Sequence, residues 1–286
     1  MPGARNFSGA QILQIPYDSG RKNFRMGNGP AHIAQQLVDS KAVSTETIAV
    51  EERPFELGTT FRILRSLRDK VKQSVSSDRL PILLAGGCLN SLGSLSAIGP
   101  DSSALIWCDA HADFNTPETT PSGFIDGMAL AAIAGRCWRT LTATVPGFRP
   151  VPEKNVVLMG ARDLDLQERT ALLKSEITWL TPESIRRDGV EEALGQALAQ
   201  LPERVYFHID LDVLDRAEAC VNEYSSSGGL TVSELLHIIR FVGNNRGIVG
   251  ASITAYDPSV DLDSRAVRAA VAAIKELLSA ACIDVR

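Results

Sequence analysis

Eight short apolar runs rich in Val, Ile and Leu punctuate this chain, at residues 11–15, 47–50, 81–84, 104–108, 155–159, 177–180, 204–209 and 248–253. Between most of them the apolar residues recur at helical spacing instead, as in Leu64/Leu67/Val71/Val75, Leu235/Ile238/Ile239/Val242 and Val267/Val271/Ile274/Leu278. Thr231 and Glu234, three apart and just ahead of the second of these segments, form a capping-box pattern that fixes where its helix begins. Runs alternating between a strand period and a helix period imply a mostly parallel sheet covered on both faces. The expected architecture is therefore an α/β fold, a three-layer α/β/α sandwich around a central, mostly parallel sheet of about eight strands. No internal repeat, low-complexity tract or linker-like break divides the chain, so residues 1–286 are read as one domain.

Two of the runs end in acidic triplets. Asp109-Ala-His111-Ala-Asp113 follows the run at 104–108, and His208-Ile-Asp210-Leu-Asp212 closes the run at 204–209. Alternate residues of an extended segment point the same way, so each triplet is expected to aim three metal-binding side chains in one direction. Carboxylates packed together repel unless cations lie between them. In open α/β sheets ligands collect at the carboxyl ends of strands, where both triplets fall, as does Ala85-Gly86-Gly87-Cys88 after a third run. Long loops at 114–127 and 213–229 are expected to ring that rim. The competing reading is two solvated acidic loops, which does not explain why the acids keep strand spacing.

Composition narrows the partners. With 44% hydrophobic and 22% charged residues the chain is globular in character, and no apolar run has membrane-span length or signal-peptide layout, so a cytoplasmic protein is expected. A formal charge of −5 argues against nucleic acid or an anionic membrane as the main partner and for a small-molecule substrate. Five cysteines without framework spacing read as reduced thiols, with Cys108, Cys137, Cys220 and Cys282 taken as packing residues. His32 and His237 carry no ligand-like spacing and are read as structural.

The segment from Asp109 through Asn115 to Ser122-Gly123 resembles the DAHxDxN and TTxSG elements of the arginase or ureohydrolase family, binuclear manganese hydrolases of guanidino groups. The stretch from His208 through Asp215, with Gly228-Gly229-Leu230-Thr231 downstream, resembles that family's DxDxxDP and GGLT elements. The resemblance implies the arginase-like fold and two Mn(II) ions, with Asp109 and Asp210 bridging them, Asp113 completing one shell, and His111 and Asp212 the other. Such carboxylate-rich shells suit manganese. Where the family has a histidine ligand this chain has Cys88, which either ligates as a thiolate or is a small buried residue after a strand. A Cys-containing branch of the family acts on Nω-hydroxy-L-arginine. The resemblance also implies assembly, since family members are often trimers or hexamers; composition leaves a monomer equally open.

Two further departures concern the substrate. Asp126 stands where arginases carry a proton-shuttling histidine, and is read either as an acid or base or as a solvated loop residue. Ala255 stands where they carry a glutamate that grips the guanidinium, which disfavours a strongly basic guanidinium relative to the less basic N-hydroxyguanidine. At the amino-acid end, Asp165 and Glu168 of Arg162-Asp-Leu-Asp-Leu-Gln-Glu168 match residues near a substrate α-ammonium, and Asn115 and Ser122 match residues that hold the α-carboxylate, although a third such position is Phe124 rather than Asn. Asp165 is equally suited to cap the helix ending near Lys174. His208 is read either as support for a ligating carboxylate or as a satisfied buried histidine. The segment 21–30 is read as a loop shaped by Gly and Pro, either solvated or carrying a basic residue to the mouth of the site. The function implied is hydrolysis of a guanidino or N-hydroxyguanidino amino acid, with agmatine, guanidinobutyrate or formiminoglutamate hydrolysis, or metal binding without turnover, as alternatives.

Overall fold

The structure, a computed structural model, describes residues 7–37, 42–99 and 103–284. Its main sheet comprises β1 (Gly9–Ile15), β2 (Val43–Thr47), β3 (Arg79–Ala85), β4 (Ala104–Cys108), β5 (Val156–Met159), β6 (Thr178–Leu180), β7 (Arg204–Asp210) and β8 (Gly247–Thr254). They are ordered β2-β1-β3-β8-β7-β4-β5-β6 and every pairing is parallel. A two-stranded ribbon of Tyr17–Asp18 and Arg21–Lys22 lies apart from it.

Both faces of the sheet are buried, and the strand period divides them. Ala10 and Ile12, Leu80, Ile82 and Leu84, Ala104 and Ile106, and Val205 and Phe207 face one core, which also takes up helices Val232–Asn245 and Arg265–Ala280. Leu13 and Ile15, Leu83, Leu105 and Trp107, and Tyr206 face the other, beneath helices Glu56–Ser76 and Ser91–Ile98. The three-layer arrangement expected from the alternating periods is therefore the observed one. Among the described residues no helix is long and apolar enough to cross a membrane.

One strand is displaced from its expected place: the run at 47–50 contributes only Thr47, because β2 spans Val43–Thr47. β2 is the sheet edge and is mostly exposed, so it carries little apolar signal; the buried Ile48 that attracted the reading follows the strand, its N–H donating to Gln14 O. The thiols also divide. Cys108 and Cys137 are buried, but Cys220 is half-buried and Cys282 exposed, so these two are not packing residues; all five cysteines are free.

The capping box is present, with Thr231 Oγ1 accepting from Glu234 N at 3.1 Å and Glu234 Oε2 from Thr231 N at 2.8 Å. A Thr231→Ala variant should lose about 1 kcal/mol in urea denaturation. An unchanged midpoint would show that this helix start is held by packing alone.

Chain order puts β3 and β4 next to one another, yet in the sheet β8 and β7 lie between them. Connections on either side of such a reversal leave in opposite directions and open a crevice at the carboxyl ends of the strands. All three segments singled out in the sequence end there: the Gly86-Gly87-Cys88 turn after β3, Asp109–Asp113 after β4, and Asp210–Asp212 at the end of β7.

Candidate metal centre and substrate cavity

The convergence of each triplet comes from a turn rather than from strand pleating. β4 stops at Cys108, so Asp109, His111 and Asp113 lie beyond the strand, and Asp212 sits in a 3₁₀ turn over Leu211–Val213. In both places the first aspartate accepts from the backbone N–H two residues on, Asp109 Oδ1 from His111 at 2.8 Å and Asp210 Oδ1 from Asp212 at 2.9 Å. That local bond folds the chain back so the side chains meet. Asp113 completes the first turn with φ of 50°, a left-handed conformation that Asp tolerates better than most residues.

The two turns meet through His111, whose Nδ1 lies 3.4 Å from Asp109 Oδ1 and 3.4 Å from Asp212 Oδ2. Ligand atoms of Asp109, His111 and Asp212 all fall within 4.8 Å of one another, as do those of Cys88, Asp109 and His208. Cys88 Sγ donates to Asp210 Oδ2 at 2.9 Å and lies 3.3 Å from Thr254 Oγ1. Asp109, Asp113, Asp210 and Asp212 are all buried.

This concentration of acid distorts the proton affinities. Burial first and Asp212 second push Asp109 up to about 6. Burial, followed by the charges of its neighbours, raises Asp113 and Asp210 as well, and lifts the Cys88 thiol well above its ordinary value. At His111 burial opposes the charged ring, but Asp212 and Asp109 outweigh it and raise its pKa. Burial likewise opposes ionisation of Asp212, and His111 overcomes that and brings it down to about 2. The cluster thus draws positive charge toward itself. Buried Asp113 Oδ2 has no hydrogen-bond partner, which gives the site a further donor oxygen. The carboxylates, the imidazole and the thiol fit a pair of divalent cations.

The acids open into a cavity of about 300 Å³ lined by residues of both long loops, among them Asn115, Ser122, Phe124, Asp126, Asn222 and Tyr224. The first loop is pinned at its base by Asn115 N donating to Gly127 O. Asp126 faces the Gly87 turn, with its Oδ1 accepting from Leu89 N at 3.0 Å; a Cβ on residue 87 would lie 2.1 Å from Asp126 Oδ2, so any side chain there would displace the Asp126 carboxylate. Burial raises Asp126 to about 7. Asp126 is thus half-buried and held in the cavity wall. Ala255, with φ of 63°, lines the same cavity and brings no charge to it.

Asp165 and Glu168 also border the cavity, but in braced form. Glu168 accepts from Phe114 N through Oε1 and from Asp165 N through Oε2, and Asp165 Oδ2 accepts from Asn115 Nδ2 at 2.9 Å. The pair caps helix Leu166–Leu173, as the sequence allowed. Ser122 is exposed at the rim and Asn115 is buried. Of the basic residues in segment 21–30, Arg25 reaches this mouth, where Asp18 and Glu223 pair with it and it donates to Tyr224 Oη. His32 binds Tyr256 Oη and His237 pairs with Glu191, both away from the site.

His208 does not hydrogen-bond a carboxylate; its Nδ1 meets the hydroxyls of Ser91 and Ser252. Support for Asp109 comes instead from Trp107, whose Nε1–H donates to Oδ2 at 3.0 Å. Trp107 precedes Asp109 by two residues, a spacing that would have identified it. Arg162 supports the second turn from behind, its guanidinium donating to Asp212 O and Leu214 O, partners that no sequence spacing signals.

The arginase of Bacillus caldovelox is 30% identical over 289 residues, covering 93% of this chain and 96% of that protein. The arginase of Staphylococcus aureus (strain MRSA252) is 28% identical over 290 residues, covering 93% and 95%. The solved native structure of the Bacillus caldovelox arginase matches with a TM-score of 0.87 at 26% identity, over 95% of this chain and 98% of that one. A formimidoylglutamase from Bacillus subtilis subsp. subtilis str. 168 shares the fold, with a TM-score of 0.79 at 18% identity over 98% of this chain and 88% of that one. The profile of the arginase family matches residues 8–279, and with it the turns that bring Asp109, His111, Asp210 and Asp212 together; this chain belongs to the arginase family.

Proposed function

We propose that this protein is a binuclear-metal amidinohydrolase whose substrate is an N-hydroxyguanidino amino acid, Nω-hydroxy-L-arginine, cleaved with one water to L-ornithine and hydroxyurea. The observation that carries this reading is that Cys88, His111, Asp113, Asp210 and Asp212 line one cavity with Ala255, while Asp109 lies within ligand distance of His111, Asp212 and Cys88. Asp109, His111, Asp113, Asp210, Asp212 and Cys88 are the residues that would hold the metal pair, with Mn(II) as the cation. When bound, such a pair would supply Lewis acidity, lowering the pKa of water and stabilising negative charge near the guanidino carbon.

The remaining steps fall to side chains. Asn115 and Ser122 hold the α-carboxylate, and Asp165, with Glu168 fixing its turn, faces the α-ammonium. Phe124 and Tyr224, stacked with ring centroids 5.6 Å apart, border the cavity and help exclude water. Asp126 lines the wall and returns a proton to the departing amine of ornithine. Ala255 sets the specificity. A guanidinium buried there without a counter-charge is penalised, whereas an N-hydroxyguanidine binds neutral.

The test is a manganese-supplemented activity panel of L-arginine, Nω-hydroxy-L-arginine, agmatine and formiminoglutamate. The expected result is kcat/KM for Nω-hydroxy-L-arginine exceeding that for L-arginine by at least about 100-fold, the scale set by an uncompensated buried charge. Agmatine turnover that survives Asp165→Ala would move the substrate to a guanidino amine without a carboxylate. A metal-loaded protein hydrolysing none of the four would leave a binding protein.

A further inference from the structure

His208 lies in β7 with 0% of its surface exposed, its ring stacked on Trp107 with centroids 3.5 Å apart and planes 20° apart. Its Nδ1 is 2.9 Å from Ser91 Oγ and 2.9 Å from Ser252 Oγ, and these hydroxyls are 2.9 Å from one another. The hydroxyl pair can accept from Nδ1–H, and in that tautomer the lone pair is left on Nε2. Nε2 is buried and has no hydrogen-bond partner. A ring nitrogen of this histidine lies within 4.8 Å of both Cys88 Sγ and an oxygen of Asp109, which also lie that close to each other.

A histidine kept only for packing has no use for this arrangement. The stack on Trp107 needs a flat ring, and the serine hydroxyls already bond to one another, so neither explains an unpartnered nitrogen on a buried ring that approaches a thiol and a carboxylate. Hydroxyls behind one ring nitrogen and an open lone pair at the other are what a metal-binding imidazole requires.

We propose that His208 is itself a metal ligand, forming with Cys88 and Asp109 an inner thiolate–imidazole–carboxylate position beside the outer position of Asp109, His111 and Asp212, and that this inner position prefers Co(II) or Zn(II) to Mn(II). The assignment rests on the two-cation reading above and alters the composition of one of its sites. Sulfur and nitrogen donors favour borderline-soft ions, whereas the outer position, with more oxygen, retains manganese. On binding, the Cys88 S–H bond breaks, the sulfur keeps the electron pair for the metal, and the proton passes to water.

The experiment is a cobalt(II) titration of metal-free full-length protein, followed by optical absorption and calorimetry, with X-ray absorption of the product. Wild type should develop sulfur-to-cobalt charge-transfer absorption and release a proton with the ion that produces it. Cys88→Ser should remove that band, and His208→Gln should weaken the corresponding ion by at least about 100-fold, beyond the loss typical of a residue that only orients a ligand. His208→Gln that folds and binds this ion with unchanged affinity and spectrum overturns the assignment. Should that variant fail to fold, His111→Ala serves instead: sulfur and an imidazole around the same cobalt then support the assignment of His208, and sulfur without imidazole overturns it. Hydrolysis by manganese-loaded wild type is scored separately, so an inactive enzyme with an intact sulfur–imidazole site sinks the proposed reaction and leaves the ligand assignment standing.

Discussion

An Asp109→Asn variant should fold, retain at most one tightly bound manganese ion, and lose hydrolysis by on the order of 10³-fold or more, since altering a residue that only orients a ligand already costs about 10–100-fold. Asp109 belongs to both groups of ligand atoms at the strand ends, so its loss weakens both positions at once. Metal content by elemental analysis and turnover under saturating manganese measure the two effects; a variant that keeps two ions and near-normal turnover would remove Asp109 from the shared position. Metal-free wild type makes a related prediction. Asp109, Asp113, Asp210 and His111 all have proton affinities raised in the folded state, and Asp212 alone of these five is lowered. A raised group stabilises the fold below its unfolded pKa, and that stability is lost as pH climbs through its folded value. Apo protein should therefore be less stable at pH 8 than at pH 5, with Asp109 contributing loss through about 6, and added manganese should reverse the trend by binding the ionised carboxylates. Thermal unfolding across that range, with and without manganese, checks the sign.

These effects depend on details that the sequence carries unevenly. Helix Val232–Asn245 was legible because its apolar period and its capping box agree, and β4 and β7 because strands buried on both faces read as continuous apolar runs up to the acids. Edge strand β2 was not, since an exposed strand has little reason to be apolar. The triplets converge by a mechanism their spacing does not show: spacing by two fits a pleat, but the chain leaves the sheet and brings the side chains together with a side-chain-to-backbone bond in a turn. Partners far apart in sequence left no local trace. Ser91 and Ser252 reach His208 across 117 and 44 residues, and nothing in the spacing of either announces it. Glu168 shows the converse, because a motif match suggested substrate contact where the carboxylate also braces Phe114 and its own helix.

Replacing Arg162 by Met should cost about 2–3 kcal/mol, the scale for losing hydrogen bonds made by a charged group in a half-buried site. Arg162 is a cation solvated by peptide oxygen: Nε donates to Ser227 O, Nη1 to Gly160 O and Val213 O, and Nη2 to Asp212 O, Leu214 O and Ser226 O. Backbone carbonyls have no side-chain signature, so a sequence motif cannot reveal them as partners. Close backbone approach preserves the arrangement, as a Cβ at Gly229 would lie 2.6 Å from Arg162 Nη2. Loss of the guanidinium leaves several carbonyls at the start and end of the 213–229 loop short of a donor, and an apolar side chain cannot replace it. Arg162→Lys should recover only part of the stability, because one ammonium cannot span oxygens that a planar fork reaches from three nitrogens. Urea denaturation of the metal-free variants measures the cost directly. Since one bond ends on the carbonyl of Asp212, Arg162→Lys should also weaken manganese binding by about 10-fold or more, the scale for residues that orient a ligand. A Lys variant destabilised as expected but with unchanged manganese affinity would confine Arg162 to holding the loop, and a Met variant within about 1 kcal/mol of wild type would show that water replaces the guanidinium among these carbonyls.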